Sequence, residues 1–152
     1  MNDIKRLKVR SFTLLEVLLV IAIITIIAGF SLPVYQLLTI KNDLDVTASS
    51  ITQSLRRAQL FSRGVVGDSN WGVKIQMGNL TLYKGPSFSS RDTSSDELTS
   101  LPPEVNVSGL DEINFTKLYG ATQNNGIISL SVPRLNDINI FVNEKGTVDQ
   151  QT

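Results

Sequence analysis

Cysteine and histidine are both missing from the 152 residues. Without cysteine no disulfide can staple a small fold, and no thiolate nucleophile is available. Without histidine there is no imidazole metal ligand and no Ser-His-Asp relay. A net charge is missing too: 14 basic residues balance 14 acidic ones. That balance is not the basic excess of a non-specific nucleic-acid binder. Serine, aspartate and glutamate are present, but none has an identifiable base or metal partner. A tethered enzyme is therefore the weakest functional class, and no cofactor or metal is expected.

One stretch lacks charge almost completely. Phe12–Val34 is nearly all apolar, Glu16 is its one charged residue, and nothing charged follows from Val17 to Ile40. A run of this length can cross a bilayer, because about 20 residues at about 1.5 Å each span a core of about 30 Å. Lys5, Arg6, Lys8 and Arg10 precede it. That basic flank holds the amino end in the cytoplasm and sends the rest of the chain out. Glu16 is the anomaly. A carboxylate inside a bilayer costs about 2.5–3.5 kcal/mol on the lenient scale, and the span contains no partner for it. A secretory signal peptide would have a shorter apolar core and an A-x-A-like exit. A plain anchor would have no use for the glutamate.

A short basic leader, the small residue Ser11, then Phe12-Thr13-Leu14-Leu15-Glu16, the apolar span and a late Pro33 together resemble the amino terminus of type IV prepilins and type II secretion pseudopilins. The resemblance implies a prepilin peptidase that cuts between Ser11 and Phe12 and N-methylates the new Phe12 amine. The family usually has glycine before the cut, where this chain has Ser11. It implies that Glu16 pairs with the Phe12 amine of a neighbouring subunit, and that Pro33 marks where the helix bends or melts in a filament. It further implies other pilin or pseudopilin subunits and an inner-membrane platform protein as partners. Many major type IV pilins carry a carboxy-terminal disulfide loop, which the absence of cysteine excludes here.

The organisation then reads in four parts: a leader over 1–11, a membrane span over 12–34, an amphipathic helix over 35–63 and a β-rich head over 64–152. Leu37, Leu44, Ala48, Ile51, Leu55 and Ala58 recur at spacings of three, four or seven, which places them on one helical stripe. Gly64 stops the helix. Beyond it the period becomes two. Trp71, Val73, Ile75 and Met77 alternate with polar or small residues, Gly78-Asn79 reads as a hairpin turn, and Leu80 and Leu82 follow on a second strand. Gly85–Ser100 is serine-rich and reads as an exposed loop. Short strands are expected near 105–107, 113–115, 127–132 and 138–142, and a last turn at Glu144-Lys145-Gly146 leads into 147–149. One long helix followed by about six strands is an α+β layout, an antiparallel sheet on the helix's apolar stripe. This order also resembles the pilin fold, and the two hairpins with the long loop between them look most like minor pseudopilins of the GspH/FimT kind.

Removing the leader takes four basic residues and one acidic, leaving ten against thirteen, a mature chain of net −3. Arg56, Arg57 and Arg63 could meet DNA phosphates in an uptake system, though such residues more often form the solvated side of an amphipathic helix. Asp92, Asp96 and Glu97 lack the spacing of a calcium loop. Trp71, at the head of a strand, is more often core than binding aromatic. The expected function is a structural subunit, a minor pilin or pseudopilin, held first in the inner membrane and then in a filament. The alternative is a membrane-anchored, extracytoplasmic binding module for DNA or a secreted protein, with nucleic acid the weaker partner.

Overall fold

The computed structural model describes residues 12–151, with the side chains of residues 30–34 outside that description. The chain divides into two compact units, residues 1–38 and 39–152. A single helix, α1 (Leu14–Arg63), contributes to both.

In the first unit α1 is apolar without a covered side. Leu14, Leu15, Leu18, Ile21, Ile24, Ile26 and Ile27 are all exposed. Apolar surface on this scale is stable only when lipid or another chain covers it. Among the described residues no helix is long and apolar enough to cross a membrane. The helical stretch with described side chains, 14–29, is shorter than the roughly 20 residues a bilayer core requires.

In the second unit α1 becomes amphipathic. Leu44, Ala48, Ile51, Leu55 and Ala58 are buried and join one core with strands of both sheets. Leu37, expected on the same stripe, is 46% exposed. It lies in the first unit and is not part of the core cluster. The helix ends at Arg63, as Gly64 led one to expect, and the Gly64 N–H bonds to the Leu60 carbonyl at 2.8 Å.

Among the described residues eight strands follow in two antiparallel sheets, where the sequence pattern suggested about six in one. The first sheet runs β3-β2-β1-β5, built from β1 (Trp71–Gln76), β2 (Asn79–Lys84), β3 (Asp92–Ser100) and β5 (Glu112–Phe115). The second runs β4-β6-β7-β8, built from β4 (Asn106–Gly109), β6 (Gly126–Ser131), β7 (Ile138–Val142) and β8 (Val148–Gln151). Val73, Ile75, Leu80 and Leu82 from the first sheet and Ile128, Leu130, Ile138 and Ile140 from the second meet the helix stripe in the core.

Two local readings change. The β1–β2 turn is Met77-Gly78, one residue earlier than expected, because Gln76 pairs with Asn79. Gly78 takes φ 75°, a conformation glycine adopts without penalty. Asn79 therefore enters β2, and Met77 sits 94% exposed at the tip instead of on the buried face. The serine-rich stretch is also not all loop: a helical turn at Phe88–Ser90 leads into the nine-residue β3. Backbone bonds to β2 hold β3 at the edge of the sheet. Neither of its faces is buried, so it carries no hydrophobic alternation to betray it.

The turn Val132-Pro133-Arg134-Leu135 holds Arg134 at φ 73°, with Leu135 N–H reaching back to the Val132 carbonyl. Proline second and a positive φ third is type II turn geometry, which asks for glycine where Arg134 stands. Arg134 is exposed, so little contact is lost on truncation. Arg134→Gly should therefore stabilise the head by about 0.5–1 kcal/mol, the left-handed strain relieved less the chain entropy of glycine. Thermal denaturation checks it: a midpoint a few degrees higher is expected, and a lower one would mean that the side chain makes a contact of more value than the strain.

Candidate functional site

The first residues of α1 carry the site singled out in the sequence. Thr13 is the cap: its Oγ1 accepts the Glu16 N–H at 3.2 Å, and its carbonyl accepts the N–H groups of Glu16 and Val17 at 3.1 and 3.2 Å. Thr-Leu-Leu-Glu is the pattern of a capping box, in which the first side chain satisfies an orphan N–H of the first turn. The carboxylate of Glu16 has no hydrogen bond or ion pair among the described residues. Glu16 and Phe12 are both exposed, so the glutamate stands one turn into an apolar helix with its charge available to another chain. Ser11, the other half of the expected cleavage junction, lies outside the described residues, and so does the side chain of Pro33.

The head disposes of the other candidates. Asp92, Asp96 and Glu97 do not converge. Asp92 accepts from Ser94 and Ser95 and lies 3.7 Å from Lys84. The serine hydrogen bonds, more than the lysine charge, hold its carboxyl below the usual range. Asp96 pairs with Arg91 and Glu97 with Arg57, each at 2.8 Å. Among the described residues no group of acidic side chains could hold a metal. The three arginines of α1 turn to the protein: Arg56 donates to the Val148 carbonyl, Arg57 pairs with Glu97, and Arg63 donates to the Tyr119 carbonyl. Trp71 is core, 6% exposed, with its ring edge-on to Phe61 at 4.9 Å and its Nε1–H on the Val66 carbonyl.

The residues that pin the helix to the head were not anticipated. Ser62 is fully buried. Its Oγ donates to the Phe115 carbonyl and accepts the Trp71 N–H, both at 2.9 Å. Gln59 donates to the carbonyls of Gly120 and Lys145. A polar residue on a helix gives no sequence signal that a backbone group far along the chain will meet it. Tyr83 was missed as well. It is buried and donates to Glu112 at 3.0 Å. Burial above all pushes its hydroxyl well above the usual tyrosine range. Gly72 lies opposite it in the ladder, and any Cβ there would run into the Tyr83 hydroxyl.

Comparison with known proteins adds two findings. Residues 6–32 match the family model of the prokaryotic N-terminal methylation motif. The fold is similar to the crystal structure of the minor pseudopilin EpsH from the type II secretion system of Vibrio cholerae, with a TM-score of 0.54 and 12% identity, over 73% of this chain and 94% of that one. Among curated proteins nothing matches. The chain thus joins a match to the methylation motif at its amino end to a fold similar to that of a minor pseudopilin behind it.

Proposed function

We propose that this chain is a minor pilin or pseudopilin, a structural subunit of a type IV pilus-like or type II secretion filament. The observation that carries the reading is the methylation motif over residues 6–32, whose Glu16 has no hydrogen bond or ion pair among the described residues and stands on an exposed apolar stretch of α1. In this reading a prepilin peptidase removes residues 1–11 and methylates Phe12. The basic leader stays on the cytoplasmic side of the inner membrane, the head lies outside, and the 12–34 segment holds the subunit in the bilayer until assembly. Other pilin-like subunits, guided by an inner-membrane platform protein, then replace lipid around the apolar helix. Pro33, which cannot donate a helical hydrogen bond, is where α1 bends or melts on entering the filament. Nothing in the head requires catalysis for this role.

Coexpression with a prepilin peptidase should shorten the chain by the 11 residues Met1–Ser11 and leave N-methylated phenylalanine at the new amino end. Intact-mass analysis reads both changes at once. A full-length product, or a cut after Pro33, would sink the assignment. Ser11→Gly should speed the cut, because glycine is the residue the family places there.

A further inference from the structure

A groove of about 300 Å³ opens in the head beside the β1–β2 turn. Residues along it include Ile75, Leu101 and Val105, which are buried, and the more exposed Met77 and Val107, and the outer edge of β4 borders it. β4 is an outer strand that pairs only with β6. The Leu110 N–H bonds to the Ile127 carbonyl at 3.0 Å, which makes that pair a hydrogen-bonded one. Such pairs alternate along an antiparallel ladder. Asn106 and Ser108 therefore also face β6, while Val107 and Gly109 turn their N–H and C=O groups away from it. The Ile75 N–H bonds to the Asp111 carbonyl at 2.7 Å, and β1 ends one residue later at Gln76, which leaves Met77 in the turn at the lip of the groove.

Charge in the groove has one sign. Its lining holds two carboxylates, Glu104 and Asp111, and no lysine or arginine. Asp111 pairs with Lys74 at 2.7 Å. Glu104 is exposed and has no ion pair among the described residues. A volume of this size lies at the low end for ligand cavities and accommodates a few side chains, not a folded domain. We propose that the groove docks an extended, lysine- or arginine-bearing peptide segment of a partner protein. The segment adds a strand to the free edge of β4, with its apolar side chains against Val105 and Val107 and a basic one toward Glu104. Strand addition takes its affinity from the unpaired backbone groups and its selectivity from alternate side chains. Met77, unbranched and almost fully exposed at the lip, can re-pack around different occupants. The proposal goes beyond filament membership and does not depend on it.

Hydrogen exchange read by mass spectrometry on the full chain in detergent micelles tests it. The probe is an end-blocked six-residue peptide of alternating valine and lysine, at up to about 1 mM. Its control has glutamate in place of lysine. The lysine peptide should slow exchange across residues 104–111 and the glutamate peptide should not. Glu104→Lys, at an exposed position, should weaken the lysine peptide about tenfold and remove the discrimination between the two. No protection at the highest concentration, or equal protection by both peptides, would overturn the proposal. So would protection of 104–111 that rises with protein concentration before any peptide is added, since a second copy would then be the occupant.

Discussion

Glu16→Leu should reach the membrane at the normal level or above it and yet be lost from sheared filaments. Replacing a carboxylate that costs about 2.5–3.5 kcal/mol in a bilayer removes a penalty on insertion. The cap of α1 survives, because Thr13 receives the backbone N–H of residue 16 and not its side chain. What disappears is the one charge of the apolar stretch. Its own chain satisfies it poorly: the amine that cleavage would create on Phe12 lies four residues back, before the first turn of α1. In the proposed filament a neighbouring subunit, shifted along the axis, would bring a second amine opposite the carboxylate, and pairing would remove two uncompensated charges from an apolar bundle. A strong loss of assembly is therefore expected with the insertion level unchanged. Quantifying the variant in sheared filaments and in the membrane fraction separates the two effects. Normal incorporation would leave Glu16 without a role and favour an anchored binding module. Loss of insertion would mean that the apolar stretch serves some other purpose.

The parts of the fold that could be read ahead were those with a hydrophobic period. Leu44, Ala48, Ile51, Leu55 and Ala58 are all buried because a helix repeating every 3.6 residues can bring such a set to one face. Val73 and Ile75, like Ile138 and Ile140, were legible from alternation. β3 was not, since an edge strand with both faces in water is held by its backbone, and backbone bonds leave no mark on side-chain pattern. The division into two sheets was equally silent: which strands pair is decided by long-range closure around α1, not by any one segment. At the amino end the motif was legible because a carboxylate in an apolar run is costly enough to need a reason. The cap is legible in the spacing alone, as Thr13 stands three residues before Glu16. The groove beside β4 had no signature, for it arises where two sheets part.

Residues 39–152 should fold as a separate protein, and Leu55→Ala should remove a large part of its stability. Among the described residues the buried apolar side chains all fall between Leu44 and Val148, inside the second compact unit. Leu55 is fully buried within the cluster that joins α1 to both sheets. Truncating a leucine in such a place costs about 2–5 kcal/mol, transfer and cavity together, against the 5–15 kcal/mol of a typical domain. The neighbours give the site little freedom to collapse, because Ser62 and Gln59 tie the same end of the helix to carbonyls of the head. Urea denaturation followed by circular dichroism should show a cooperative transition for the fragment and a clearly lower midpoint for the variant. An unfolded fragment would mean that the core is completed by residues before Thr39. A folded fragment with an unchanged midpoint in Leu55→Ala would mean that the stripe faces neighbouring subunits instead of its own head.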